Sequence, residues 1–230
     1  GTLHYNLNNN ATAIRYLNQS LVLQRKSSPP ANLALTLFST GEVRRFLGQN
    51  DAARELFLEA LPLARASQER ACEADLLGSL AMLDLRVGNF LAAKQQLDQA
   101  LTIRRELKDL RGEASTLGKL GILAEAQSDL PLAHTLYQQA ASAYAANRYR
   151  GGEAFIRQLL AQLESRLGNL PAAAEQMLEA IRLAEGLRQR LSDRDLRATY
   201  IGYVQNRYEF LIETYLRLDQ GQAERAFEIS

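Results

Sequence analysis

The residue types that most often carry catalysis or bind metals are scarce in this chain of 230 residues. His4 and His134 are the only histidines, and neither has carboxylates beside it at the spacing of metal ligands. Cys72 is the only cysteine, which excludes a disulfide within the chain and a cysteine-based zinc cluster. No histidine lies near Cys72 in the sequence, so we interpret it as a half-buried structural thiol that precedes a helix. We interpret His134 as a surface residue on the outer side of a helix.

Phosphate, nucleic-acid and membrane binding find no support either. The Gly151-Gly152 pair lacks a preceding strand and a following Lys-Ser/Thr, so we predict a turn there and not a phosphate loop. The basic runs Arg148–Arg150 and Arg188–Arg197 are offset by nearby acidic residues and are interpreted as solvated faces. Across the chain 27 basic side chains balance 26 acidic ones, which argues against a grip on nucleic acid or an anionic membrane. No apolar run approaches the roughly 18 residues of a membrane span.

We therefore predict that these residues are not an enzyme and that they bind no metal and no cofactor. The single cysteine is compatible with a reducing compartment, which favours a cytoplasmic location.

The elements that must position any functional side chain are visible as a repeat. A seven-residue pattern, in which a polar pair is followed by an alanine at the last position, recurs every 40 residues without a slip. Its five copies are Leu7–Ala13, Leu47–Ala53, Val87–Ala93, Gln127–Ala133 and Leu167–Ala173. Such a period indicates structural units that bury their apolar faces against one another.

Each copy predicts a helical hairpin. The Gly-Asn, Gly-Gln or Ser-Asp pair ends a first helix, because Gly and Asn tolerate the left-handed conformation of a C-cap. A second helix follows, with alanines seven residues apart on one face, where a partner helix can approach closely. These alanine pairs are Ala53/Ala60, Ala93/Ala100, Ala133/Ala140 and Ala173/Ala180.

The first helices carry a matching pattern of apolar and small residues. Small residues recur at Gly41, Ala81, Gly121 and Ala161, where we expect two helices to cross. Apolar stripes include Leu77, Leu80, Leu83 and Val87, and later Ile156, Leu160, Leu163 and Leu167. Polar segments such as Arg65–Arg70, Lys108–Gly112 and Asn147–Gly152 are predicted to join one hairpin to the next.

These features resemble the tetratricopeptide repeat (TPR). The resemblance implies an all-α fold, a right-handed α-α superhelix of antiparallel hairpins with about 40 residues per repeat, longer than the usual ~34. Leucines at 37, 77 and 117 replace the Trp of the family. We predict an array over 1–191, with a half repeat at 1–30 and full repeats at about 31–70, 71–110, 111–150 and 151–191.

The period breaks near the C-terminus. Ser192 and Asp195 suit a helix N-cap, and we predict one long helix followed by the start of another within 192–230. This region resembles the segment that precedes the catalytic domain in CHAT proteins, which join TPR arrays to a caspase- or separase-like peptidase in bacteria. The similar stretches are Leu187–Arg190, Leu196–Tyr200, Val204–Glu209 and Ala226–Ser230. The family's catalytic His and Cys motifs would lie after Ser230, so the resemblance implies a repeat region taken from such a protein.

The TPR resemblance also implies a binding surface on the inner wall, which first helices build. The positions that line the groove in that family are occupied here by Phe38, Glu42, Arg45, Asp75, Met82, Arg86, Lys119, Ile122, Glu125, Gln158, Gln162 and Arg166. Mixed charges with a few apolar side chains suit an extended peptide or a partner helix. Phe38 and Glu42 occupy the first two positions of the carboxylate clamp found in some TPR proteins, so we predict no clamp.

Three functions therefore remain open. The leading hypothesis is a protein-interaction scaffold that binds a peptide or partner protein for a CHAT-type protease. The second is the sensor arm of a nucleotide-switched (STAND-type) bacterial regulator. The third is an architectural array that associates with itself end to end through uncovered helix faces.

Overall fold

The computed structural model describes residues 7–188 and 205–218, and the side chains of 14–25, 28–187 and 205–218. The described residues form ten helices and no strand. The chain divides into two compact units, a first unit of Gly1–Gln127 and a second unit of Ser128–Ser230. The boundary between them falls within the repeat predicted at 111–150.

Helices of uniform length follow one another at a constant interval. Seven consecutive helices have 17 residues each, and their first residues are spaced 20 apart, because a three-residue turn follows every helix. The helices are α1 (Leu7–Ser27), α2 (Pro30–Phe46), α3 (Asn50–Ala66), α4 (Arg70–Arg86), α5 (Phe90–Glu106), α6 (Leu110–Ala126), α7 (Leu130–Ala146), α8 (Arg150–Arg166), α9 (Leu170–Arg188) and α10 (205–218). The all-α hairpin architecture and the 40-residue period are confirmed.

In each of the seven turns between α2 and α9 the middle residue has a positive φ angle. At Gly48 the φ angle is +75°, the Gly48 amide donates to the Arg45 carbonyl at 3.0 Å, and the Gln49 amide donates to the Arg44 carbonyl at 2.9 Å. This is the Schellman motif, which satisfies carbonyls that the helix end leaves without partners. Gly88 and Gly168 repeat the geometry at predicted positions.

Small residues set the helix crossings of the first unit. The ring of Phe57 on α3 occupies the space into which a Cβ at Gly41 on α2 would project, and both residues are buried. Ala53, Ala60, Ala93 and Ala100 are fully buried as well. The core of this unit therefore forms where alanine and glycine allow neighbouring helices to nest.

The second unit packs α8 against both α7 and α9. Ala161, Met177 and Ala180 form a buried cluster with Leu211 from α10. The buried guanidinium of Arg207 on α10 donates from Nη1 to the carbonyl of Ala180 at 3.2 Å. Helix α10 therefore packs on this unit through an apolar contact and a satisfied buried cation.

Several predicted details are wrong. Each segment predicted to be a polar linker contains all or part of a three-residue turn, and about half of the residues in these segments lie in helices. The Gly151-Gly152 pair lies in α8, where the ring of Tyr144 fills the space beside Gly152. Val87 and Leu167, placed on apolar stripes, are 74% and 50% exposed because each begins a turn. The N-cap predicted at Ser192 lies outside the described residues, as does the second helix predicted within 192–230.

Candidate functional site

Every predicted groove residue lies on a first helix, the name we use for α2, α4, α6 and α8; α1, α3, α5, α7 and α9 are the second helices. In the first unit α4 contacts both α2 and α6, so these three helices are neighbours. We call their shared surface, which carries Glu42, Arg45, Asp75, Met82 and Ile122, the first-helix face.

A hydrogen-bonded carboxylate connects α2 with α4 on this face. Glu42 accepts hydrogen bonds from Arg45 at 3.0 Å (Nε) and 2.8 Å (Nη2) and from the Ser79 hydroxyl at 2.7 Å. Burial raises the pKa of Glu42, but the hydrogen bonds and charges of Arg45, with help from Ser79 and Lys119, outweigh it and hold this pKa below its usual value. Glu42 is therefore an ionised, fixed part of the face.

A half-buried lysine connects α6 with α4. The Lys119 ammonium lies over Gly78, where a Cβ would come within 2.6 Å of Nζ. Burial lowers the pKa of Lys119, while the charges of Asp75 and Glu42 oppose that shift. Burial raises the pKa of Asp75, against the charges of Arg104 and Lys119, and Asp75 also forms an ion pair with Arg104.

The charges of this network therefore alternate in sign: Arg45, Glu42, Lys119, Asp75 and Arg104. Each one is compensated by a neighbour within the chain. The network crosslinks the first helices and leaves the middle of the face nearly neutral, so a partner could not be held there by net charge alone.

Apolar side chains are available beside this network. Met82 and Ile122 are half-buried and occupy equivalent positions on adjacent first helices, one 40-residue step apart. Arg86, at the end of α4, is exposed and makes no hydrogen bond or ion pair with other described residues. This combination offers an apolar strip with a free guanidinium at one edge.

Several of the other predicted groove residues already contact residues of the chain. The ring of Phe38 packs against the core with its centroid 6.0 Å from that of Phe57. Glu125 is half-buried and interacts with another residue of the chain. In the second unit Gln158 accepts a 2.9 Å hydrogen bond from Arg207 Nε of α10, while Gln162 and Arg166 are exposed.

Sequence reasoning missed two exposed apolar residues that share one repeat position on the first helices. Leu35 on α2 is 46% exposed, and Phe155 on α8 is 44% exposed. Both stand at the repeat position of Asp75, which was selected, so the 40-residue register itself was the signal that could have found them.

His134 and Cys72 are less exposed than the sequence indicated. His134 is half-buried, and its Nε2 lies 2.7 Å from Glu164 Oε1, so the interpretation as a plain surface residue is wrong. Cys72 lies inside α4 and is buried. Burial, with smaller effects from Asp75 and Glu69, raises its pKa to about 11. A thiol with this pKa is protonated at neutral pH and unsuited to nucleophilic attack.

Among the helices of the described residues, none is long and apolar enough to cross a membrane. Over residues 7–188 and 205–218, no three His, Cys, Asp or Glu side chains come together in a group that could hold a metal ion.

The chain is similar to several known proteins. A model of the tetratricopeptide repeat family matches residues 72–146, whereas comparison with curated protein sequences gives no match. A Rap protein solved in complex with competence and sporulation factor has 16% identity and a TM-score of 0.74 over 95% of this chain and 72% of that chain. BtubC (BKLC) from P. vanneervenii has 18% identity and a TM-score of 0.61, covering 96% and 91%.

A third similar structure carries the nearly identical TPR-like repeats of a protein described as a kinesin light chain from Podosopora anserina. It has 17% identity and a TM-score of 0.56, covering 79% of this chain and 90% of that chain. Folds of this kind are generally scaffolds for protein interaction. The chain therefore has a TPR-like fold and contains a tetratricopeptide-repeat region.

Proposed function

We propose that the first-helix face binds an extended peptide or a helix of a partner protein. The observation that carries this proposal is the pair Met82 and Ile122, two half-buried apolar side chains on adjacent helices. At their edge lies Arg86, whose guanidinium has no partner among the described residues. An apolar strip of this kind accommodates alternate or helically spaced side chains of a peptide. The fold similarity to a Rap protein solved in complex with competence and sporulation factor supports a binding role for such a helical array.

The charge network limits what the partner can be. Because Glu42, Lys119 and Asp75 compensate one another, a strongly acidic or basic segment gains little in the middle of the face. An apolar segment with an acidic residue placed to meet Arg86 fits better. We therefore propose an amphipathic segment with isolated charges.

The experiment is a selection from a peptide display library on the immobilised chain, followed by affinity measurement for enriched peptides. Arg86→Glu and Ile122→Glu should each weaken binding by about tenfold or more, since each removes a contact and adds an unpaired charge. Lys94→Glu is the control, because Lys94 lies on the exposed side of a second helix, paired with Asp98 at 2.9 Å. Peptides that bind all four proteins equally would exclude the first-helix face.

We further propose that this scaffold recruits a partner, substrate or inhibitory segment to a CHAT-type protease. The support is the resemblance of the stretches between Leu187 and Ser230, of which 189–204 and 219–230 lie outside the described residues. The sequence that follows Ser230 tests it. A peptidase domain with His and Cys motifs there agrees with the proposal, whereas a P-loop ATPase before Gly1 favours the sensor arm of a STAND-type regulator.

End-to-end association of two copies is a second candidate function. Helix α1 exposes Tyr16 and Leu23, and α10 exposes Ile212 and Leu216. The residues one repeat after Tyr16 and Leu23 are half-buried, as expected where the next repeat packs against them. Light scattering over increasing protein concentration tests this candidate, and a constant monomer mass would exclude it.

A further inference from the structure

A polar cavity lies in the second unit, between two second helices. It has a volume of about 260 Å³ and is lined from α7 by His134, Gln138 and Ser142, from α8 by Arg157 and Glu164, and from α9 by Gln176. Ala141 and Leu160 form apolar parts of its wall. We call it the α7–α9 cleft. It shares no residue with the first-helix face.

The repeat offers an internal comparison, since each lining residue has an equivalent two repeats earlier. His134 and Glu164, 2.7 Å apart, correspond to Arg54 and Asp84, which form an ion pair at 2.9 Å. An acid near the end of a first helix therefore holds the preceding second helix in both units.

The rest of the lining differs between the two units. Ala141 stands where the first unit has Leu61, and Arg157 stands where it has Leu77. Leu77 is buried in the apolar core of the first unit, and Leu61 packs against it. The smaller Ala141 opens space in the second unit, and Arg157 lines that space with a cation. The cleft is thus a local departure from a pattern that the first unit fills with hydrocarbon.

Hydrogen-bonding groups in the cleft remain available. Arg157 donates from Nε to Glu153 at 2.9 Å and from Nη1 to Gln176 Oε1 at 2.9 Å, which leaves Nη2 without a partner in the described part of the chain. The Gln138 amide and the Ser142 hydroxyl also make no hydrogen bond there. Both Glu164 oxygens are occupied, one by His134 and the other by Asn169 at 3.0 Å.

The charges determine which ligand fits. Arg157 is compensated by Glu153, while the carboxylate of Glu164 lies beside His134, which offsets its charge only when the imidazole is protonated. A carboxylate in the cleft would meet this charge, so an anionic ligand is disfavoured. A carboxamide is neutral, its oxygen can accept from Arg157 Nη2 and Ser142, and its NH₂ can donate to Gln138 Oε1.

We propose that the α7–α9 cleft binds a carboxamide group, either the side chain of a Gln or Asn residue in a peptide or a small free amide. The apolar wall at Ala141 and Leu160 accommodates the methylene groups next to the amide. A volume of 260 Å³ suits one such group and is below the range of about 300–1,000 Å³ usual for drug-sized ligands.

The test uses the His134 imidazole as the probe. The chain has two histidines, so His4→Gln leaves one set of imidazole proton signals, which belongs to His134. Glutaramide and the peptide acetyl-Gly-Gln-Gly-N-methylamide are titrated at constant pH and ionic strength, with glutarate and acetyl-Gly-Glu-Gly-N-methylamide as charged analogues, so that the Gln side chain is the only primary carboxamide in either peptide. Saturable shifts are expected with one or both amides, and which of them binds distinguishes a free ligand from a peptide side chain. The charged analogues should bind at least tenfold more weakly.

Three variants test whether the α7–α9 cleft binds the amide, and all three keep the contact between His134 and Glu164. Ala141→Leu fills the cavity with the residue found at the equivalent site, and Gln138→Leu removes the free amide. Arg157→Lys keeps a cation beside Glu153 but removes the planar donor pair. Each should weaken amide binding about tenfold or more while the His134 signal stays that of a folded chain. No saturable shift with either amide, equal binding of the charged analogues, or unchanged affinity in Ala141→Leu would overturn the proposal.

Discussion

The contact between Gly41 and Phe57 predicts whether alanine at position 41 stabilises or destabilises the folded chain. Replacing a helix-interior glycine by alanine ordinarily stabilises a helix by up to about 1 kcal/mol. At Gly41 the added methyl group would overlap the Phe57 ring, which is fully buried and cannot move into solvent. Overpacking of this kind costs about 1–3 kcal/mol. We therefore expect Gly41→Ala to lower the free energy of unfolding by about 1 kcal/mol net.

The repeat itself supplies the compensating change. One step later along the chain the same two positions hold Ala81 and Leu97, so alanine is accommodated when the partner is aliphatic. Phe57→Leu alone should destabilise the chain by about 1 kcal/mol through lost packing. In the double variant the smaller leucine side chain leaves room for the added methyl group. The two changes should therefore be less destabilising together than their sum by about 1–2 kcal/mol.

Urea unfolding of the four proteins, followed by far-UV circular dichroism, measures this coupling. Gly151→Ala is the control, because its Cβ would meet only Leu187 Cδ1 at 3.8 Å, and it should stabilise the chain by a few tenths to about 1 kcal/mol. Additive effects of Gly41→Ala and Phe57→Leu, or a gain of stability in Gly41→Ala alone, would refute the proposed nesting of helices.

Other predictions test the packing, the turns and the thiol. Ala93→Leu, at a fully buried helix crossing, should lower the free energy of unfolding in urea by about 1–3 kcal/mol. Ala146→Leu changes the exposed last residue of α7, which is not in a linker, and should alter this free energy by no more than about 0.5 kcal/mol. Equal effects of the two substitutions would contradict the register. Gly88→Ala, at φ +77°, should destabilise the folded chain by about 1 kcal/mol, while Lys108→Gly, at φ +54°, should stabilise it by up to about 1 kcal/mol. A gain of stability in Gly88→Ala would contradict the turn geometry. Cys72, with its pKa raised to about 11, should resist alkylation at pH 8 until the chain unfolds. Because the unfolded thiol ionises at lower pH than the buried one, the free energy of unfolding should fall as pH rises from 9 toward 11. Rapid alkylation of the folded chain would contradict the burial of Cys72.

The sequence predicted the regular part of the fold because one physical requirement repeats in it. Every hairpin needs small residues where its helices cross, so Gly41, Ala81 and the alanine pairs recur in register and are buried as expected. The turn glycines at 48, 88 and 168 follow from the same reasoning, since they adopt positive φ.

The remaining turns could not be predicted in this way. Gln68, Lys108 and Arg148 also adopt positive φ, although their side chains do not favour it. The Schellman hydrogen bonds and the packing of the flanking helices hold them there. Without a glycine to mark these turns, the segments looked like longer polar linkers.

For the candidate site, the 40-residue period predicts which helices carry the selected residues, and these residues lie on α2, α4, α6 and α8. The period cannot show that Phe38 packs against Phe57 or that Arg207 donates a hydrogen bond to Gln158. His134 and Glu164 are a similar case. Their pairing could be inferred only by noticing that Arg54 and Asp84 occupy the same positions two repeats earlier.

The most direct test of binding on the first-helix face uses the two methionines of the chain. Met82 lies on this face, whereas Met177 is fully buried in the core of the second unit. In a sample labelled with ¹³C at the methionine methyl groups, a peptide obtained from the display selection should shift the Met82 signal in a saturable way and leave the Met177 signal in place. A selected peptide that binds and moves neither signal, or moves Met177 alone, would contradict the proposed binding face.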